Sequence, residues 1–325
     1  MKQLIHLKST IIPSVTGPIR YSPLARVFLL AAVLFACLPL SQTARAANPA
    51  PGTPATSASG GAINSVRNFS KTALLRPAPT ITTFDVPGAG SGPGQGTLSF
   101  AINPAGTVTG RYVDASDVFH SFLRTRDGAI ATFDAPGAGT GPGQGTTAFS
   151  INPAGTITGR YSDASDVLHG FLRTPDGAIT TFDAPNAGTG PGQGTIVFAV
   201  DCLNPAGAIA AASLDESDVF HGVLRAPDGT MTTFDAPGAG TGPFQGTFTF
   251  GINQAGTIEG AYVDPSDVSH GFVRAKHGAI TTFDVPGAGT NPGQGTIATC
   301  NNPVDAITGY YIDGNDVTHG FLRTP

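Results

Sequence analysis

TTAFSINPAGTITGRYSDASDVLHGFLRTPDGAITTFDAP, residues 146–185, decides the fold. Its apolar and small residues alternate over short runs, and each run stops at a cluster of turn-forming residues. Four β segments result. The first, 146–151, is closed by the NPAG turn at 152–155. The second, 156–161, puts Ile157, Gly159 and Tyr161 on one face and Thr158 and Arg160 on the other. The loop SDASDV leads into the third, 168–173. Asp176-Gly177 then occupies a hairpin position that wants positive φ at both turn residues, and the fourth segment is 179–183. No run has a 3.6-residue apolar period, and Gly and Pro are too dense for helix.

The unit recurs. The phenylalanines of its TTFD or ATFD ending are Phe84, Phe133, Phe182, Phe234 and Phe283, spaced 49, 49, 52 and 49 residues apart. The longer interval comes from three extra residues in IVFAVDCLN, around Cys202. A repeat of four antiparallel strands and 40–50 residues is the signature of a β-propeller blade. Residues 80–325 open on a fourth strand, TITTFDVP at 80–87, and end on a third, HGFLRTP at 319–325. Five blades follow if the opening strand joins the last three, combining 296–323 with 81–85. The expected fold is therefore all-β: a five-bladed propeller of four-stranded antiparallel blades, closed by its N-terminal strand. An open β-solenoid is the rival.

Between units lies PGAGTGPGQGT at 136–146, with counterparts at 87–97, 185–195, 237–247 and 286–296. It has the look of a phosphate loop without the chemistry. No register gives G-x-G-x-x-G between strand and helix, no Lys follows, and the next element is a strand. A connector explains it, or a repeated binding lip. Asn186, Phe244 and Asn291 break the symmetry of the copies, and Phe244 is an exposed aromatic candidate for a ligand or partner.

INPAGTITGRYSD followed by HGFLRTPDGAITTFD resembles the HAF-type extracellular repeats, named for a His-Ala-Phe tripeptide. Those units run from an IN-x-x-G turn through a V-x-G-Y strand to the tripeptide. Here Gly replaces Ala in four copies and Ser121 replaces it in one, and the third copy reads HGV at 221–223. The resemblance spans the five repeats. It implies an exported repeat protein and no particular activity.

Residues 1–46 carry Lys2, Lys8, Arg20 and Arg26, the run VFLLAAVLFACLPL, and Ala44-Arg45-Ala46, which together read as a secretory signal peptide. A lipoprotein site at 34–37 is the alternative, and the true start lies downstream if the long basic region is not translated. Residues 47–79 are rich in Ala, Pro, Thr, Ser and Gly and read as a disordered linker. The expected location is extracellular, cell-surface or periplasmic. The chain's formal charge of −5 becomes more negative once the basic leader is removed, which disfavours nucleic acid. No segment after the signal is apolar enough to span a bilayer. Cys202 and Cys300 are too few for a disulfide framework, and whether they pair is left open.

Three polar residues recur in every unit. His120, His169, His221, His270 and His319 each follow Asp-Val-x, so Asp117, Asp166, Asp218, Asp267 and Asp316 are their expected partners. Metal or exposed ligand contacts are the alternatives for the histidines. Arg124, Arg173, Arg225, Arg274 and Arg323 share a strand face with them and are expected to pair with a neighbouring carboxylate such as that of TTFD. Two carboxylates per loop, such as Asp163 and Asp166, are a weak calcium signal. A residue copied five times is better explained by scaffold than by chemistry. No enzyme, cofactor or metal is therefore expected. The expectation is a monomeric binding or structural scaffold for an extracellular protein or glycan. Lectin-like sugar binding at repeated inter-blade sites is the first alternative. An enzyme site in the third unit, near Cys202, Asp215 and Glu216, is the second.

Overall fold

The computed structural model describes residues 81–198 and 203–325. The expected signal peptide, the linker and Cys202 lie outside them. The described residues contain strands and turns and no helix. Four units of four strands follow one another: β1–β4 (Gly96–Ile102, Val108–Val113, Phe119–Arg124, Ile130–Phe133), β5–β8 (Gly145–Ile151, Ile157–Ser162, Leu168–Arg173, Ile179–Phe182), β9–β12 (Gly194–Ile196, Ile209–Leu214, Phe220–Arg225, Met231–Phe234) and β13–β16 (Gly246–Ile252, Ile258–Val263, Ser269–Arg274, Ile280–Phe283). The fifth unit has three, β17–β19 (Gly295–Asn301, Ile307–Ile312, Thr318–Arg323).

Within a unit every neighbour is antiparallel, as in β5–β6 and β6–β7. The third strand then does two things. Its C-terminal half pairs with the fourth strand, Ser121 opposite Phe133, and its first residue meets the next unit in parallel, Phe119 opposite Gly145. The Phe119 N–H donates to the Gln144 carbonyl at 2.8 Å, and the Gly143 N–H donates to the Asp117 carbonyl at 2.8 Å. Gly145 has φ 111°, and a Cβ there would stand 2.0 Å from the Phe119 oxygen, so glycine is required. The same parallel step recurs at Leu168–Gly194, Phe220–Gly246 and Ser269–Gly295.

The expected ring closure is not there. Residues 81–86 form no strand, and among the described residues β19 pairs with β18 alone and β1 with β2 alone. The sheet is not closed.

The inner units bury both faces of their second strands. Ile157 and Tyr161 are buried on one face and Thr158 on the other, because each unit is covered by its neighbours. The first three junctions have apolar clusters of their own. Between the first and second units, Leu123 and Phe133 pack on Ile151, Ile157 and Phe171. Burying one such ring completely contributes about 1.5–3 kcal/mol. The first strands carry a bulge at a fixed place: register shifts across Phe100, Phe149, Phe250 and Thr299. In these four units it re-aims one side chain, and Phe100 and Phe149 meet across the first junction at 5.3 Å.

The three turns of a unit share one geometry. In the second unit the N–H groups of Gly155, Asp166 and Gly177 donate to the carbonyls of Asn152, Asp163 and Thr174. Each is the left-handed residue that follows a type I turn, with φ 87°, 63° and 96°. Asp176 is not among the positive-φ residues, so the Asp-Gly hairpin needs one left-handed residue, not the expected two.

Candidate functional site

The histidines are held by carboxylates other than the expected ones. His120 Nδ1 lies 2.8 Å from Asp134 and its Nε2 3.6 Å from Asp114. Asp134 is the TTFD carboxylate, and it reaches His120 because β3 and β4 pair. The pattern repeats for His169 with Asp183 and Asp163, His221 with Asp235 and Asp215, and His270 with Asp284 and Asp264. Among the described residues His319 meets only one carboxylate, Asp313, at 3.3 Å. In four units the imidazole also stacks on the tyrosine of the second strand, as Tyr161 on His169 at 4.7 Å. Among the described residues no cluster of His, Cys, Asp and Glu is arranged to hold a metal.

Asp117, Asp166, Asp218, Asp267 and Asp316 do different work. Each takes a left-handed φ of 60–63° and accepts a hydrogen bond from the glutamine of a connecting loop: Gln95, Gln144, Gln193, Gln245 and Gln294. The same glutamine's Oε1 accepts an N–H from its own loop, Gly141 for Gln144. At that loop position Asn291 donates to Gln294, and Asn186 takes the left-handed turn that other copies give to glycine. The glycine-rich loop is thus a tied connector.

The repeated arginines do not pair with the TTFD carboxylate. Arg173, Arg225, Arg274 and Arg323 lie over Phe133, Phe182, Phe234 and Phe283 of the preceding unit, 4.7–5.2 Å from the ring centroid. They cement junctions through cation–π contact. The contacts described for the repeated His, Asp and four of the Arg residues thus lie within the repeats and at their junctions.

The asymmetric residues make the cleft. One position of the second strand reads Arg111, Arg160, Ala212, Ala261 and Tyr310 in the five units. Between the first and second units the two arginines face a cavity of about 210 Å³ with Phe119, Thr147, Ser162 and Asp166. The Arg111 guanidinium lies 4.3 Å from the Phe119 ring centroid, and Arg160 lies 5.6 Å from that of Phe149. Burial lowers both guanidinium pKa values to about 10, with the charge of Arg111 adding to the effect at Arg160. Both remain protonated at neutral pH. Leu168, Gly143, Gly145 and Gly192 complete the wall.

The next junction shows the same place filled. Moved on by one unit, Thr147, Arg160, Ser162, Leu168 and Gly192 become Ile196, Ala212, Leu214, Phe220 and Phe244. These five belong to one apolar cluster. Phe244 is thus a half-buried plug, correcting its expected exposure. It holds φ 63°, a conformation costly for a bulky side chain, where Gly192 has φ 81°. Sequence reasoning missed Arg111 and Arg160. Their signal was available as a variable position inside an otherwise constant strand.

No family model matches the chain, and no curated protein matches it. Among solved structures, a triple arginine-to-alanine mutant of AofleA from Arthrobotrys oligospora is similar at 15% identity and a TM-score of 0.36, over 69% of this chain and 67% of that one. An asparagine-to-glutamine mutant of Aleuria aurantia lectin, in complex with alpha-methyl-L-fucoside, is similar at 9% identity and a TM-score of 0.38, over 69% of this chain and 72% of that one. At these values the likeness is one of repeated strand units and carries no function.

Proposed function

We propose that the protein is an exported carbohydrate-binding module, and that the cleft between its first and second units takes a single sugar ring bearing a carboxylate. The observation that carries this is the polar lining at a junction whose next copy is packed with apolar side chains. Arg111 and Arg160 bring two guanidinium groups to the lining and Asp166 one carboxylate, a polar wall that suits a sugar bearing an acidic group. Guanidinium groups bind carboxylate through paired, charge-assisted hydrogen bonds. Thr147 and Ser162 offer hydroxyls to a polyol, and Phe119 and Leu168 offer a face to the ring. A cavity of about 210 Å³ is smaller than the ~300–1,000 Å³ of drug-sized ligand sites, which suits one ring. The lining has one carboxylate, not the pair that glycoside hydrolysis uses, so binding is favoured over catalysis. From sequence alone a scaffold ranked before a sugar binder at repeated sites; the polar lining of this cleft favours the sugar binder.

Titration calorimetry with glucuronate and glucose tests the proposal. Glucuronate binds and glucose binds more weakly; Arg160→Ala costs about 10–100-fold in affinity, the value of a hydrogen bond to a charged group. Gly192→Phe copies the plug of the following junction and abolishes binding. Glucuronate affinity unchanged by Gly192→Phe, or no binding by the wild-type chain, sinks the proposal.

A further inference from the structure

We infer that the last unit of one chain docks head-to-tail on the first unit of a second copy. Among the described residues, side chains that the inner units bury against their neighbours are exposed at the two ends. Ile102 is 67% exposed, whereas its equivalents Ile151 and Ile252 are 8% and 5% exposed under the preceding unit. Leu322 is 71% exposed, whereas Leu123, Leu172 and Leu224 pack on the core of the unit that follows. Val317 is 48% exposed, and its four equivalents are 5–8% exposed.

The polar groups match in the same way. At the inner junctions Phe119 N–H meets Gln144 C=O, Asp117 C=O meets Gly143 N–H, and Asn103 Nδ2 donates to Asn152 C=O. At the C-terminal end the equivalent groups are Thr318 N–H, Asp316 C=O and Asn302 Nδ2. At the N-terminal end they are Gln95 C=O, Gly94 N–H and Asn103 C=O. Among the described residues neither set meets a neighbouring unit.

His319 makes the same point. Its side chain is 40% exposed, against 19–26% for the other four, and it lacks the TTFD carboxylate that they contact. Asp85 is that carboxylate in the sequence, and it is exposed at the opposite end of the repeats. One end is thus the mould of the other, because each internal junction already joins the same two faces. A contact between unlike faces adds copies head to tail. The occupant is therefore a second copy of this chain.

Sedimentation velocity of the purified full chain over a wide concentration range tests this. The wild-type chain exceeds monomer mass as concentration rises. Ile102→Asp and Leu322→Asp each stay monomeric. Both positions are solvent-exposed, so the variants keep the wild-type Tm and glucuronate binding. An equimolar mixture of the two forms a dimer and nothing larger, since each variant retains one intact face. Wild-type monomer at every concentration, as a ring closed within one chain would give, overturns the inference. So does a mixture that stays monomeric while the wild-type chain assembles.

Discussion

Asp267 shows how one residue type serves two requirements. Its φ of 62° lies where most side chains are strained, and aspartate tolerates that region better than β-branched or bulky residues do. Glycine would tolerate it better still. The carboxylate is there because Gln245 Nε2 donates to it at 2.8 Å, tying the connecting loop to the turn. Asp267→Ala keeps the backbone strain and loses the bond, so urea unfolding should show a loss of about 1–3 kcal/mol. Asp267→Asn keeps an acceptor and a side chain suited to the turn, and should lose less than half of that. Equal losses for the two variants would mean the glutamine contact contributes nothing. The sequence places this aspartate three residues before a histidine, which is why the two read as partners. The β ladder sets the histidine beside a tyrosine and the TTFD carboxylate instead, a proximity that only the hairpin register reveals.

At the scale of elements, the strands were legible because each is bounded by residues with specific turn chemistry, and all three turns use the same geometry. Contacts between units were not legible. Arg173 on Phe133 requires knowing how one unit lies on the last. The cleft was half legible: an Arg, Arg, Ala, Ala, Tyr series stands out within the repeat, but the cavity depends on what faces it. The junction asparagines give a direct measure of coupling between units. Asn253 is buried; its Oδ1 accepts from Thr257 N–H at 3.0 Å, and its Nδ2 donates to Asn302 C=O at 2.9 Å and Asp305 Oδ1 at 2.8 Å. Asn302 makes the equivalent bonds within its own turn, through Oδ1 to the N–H groups of Val304 and Ala306. Asn253→Ala should cost about 2–3 kcal/mol in urea unfolding, and Asn302→Ala about 1 kcal/mol less at a concentration that keeps the chain monomeric. Equal costs would show that the bonds between units add no stability.

Across the whole molecule, the repeat multiplies one electrostatic device. Asp114 and Asp313 are held below the usual carboxylate range chiefly by the N–H groups of Val118 and Val317. At Asp163 and Asp215 burial pushes upward and is overcome by the N–H groups of Val167 and Val219, with His169 and His221 assisting. At the following turns, Asp127 and Asp176 are lowered first by the hydroxyls of Thr125 and Thr174, and Asp228 by the Thr230 N–H. A carboxyl whose folded pKa lies below its unfolded value of about 3.9 stabilises the fold above that value. The contribution is lost as pH falls through the lowered folded pKa values. These groups lie in the first, second, third and fifth units, at both ends and between them, so acid should weaken the array instead of melting one end alone. The isoelectric point of about 5.7 lies above this window, and approaching it relieves net negative repulsion. Scanning calorimetry should therefore find Tm level or slightly rising from neutral pH to about 5, then falling steeply below about 4. A Tm that keeps rising as pH drops below about 4 would mean the turn carboxylates are not what the fold depends on in acid.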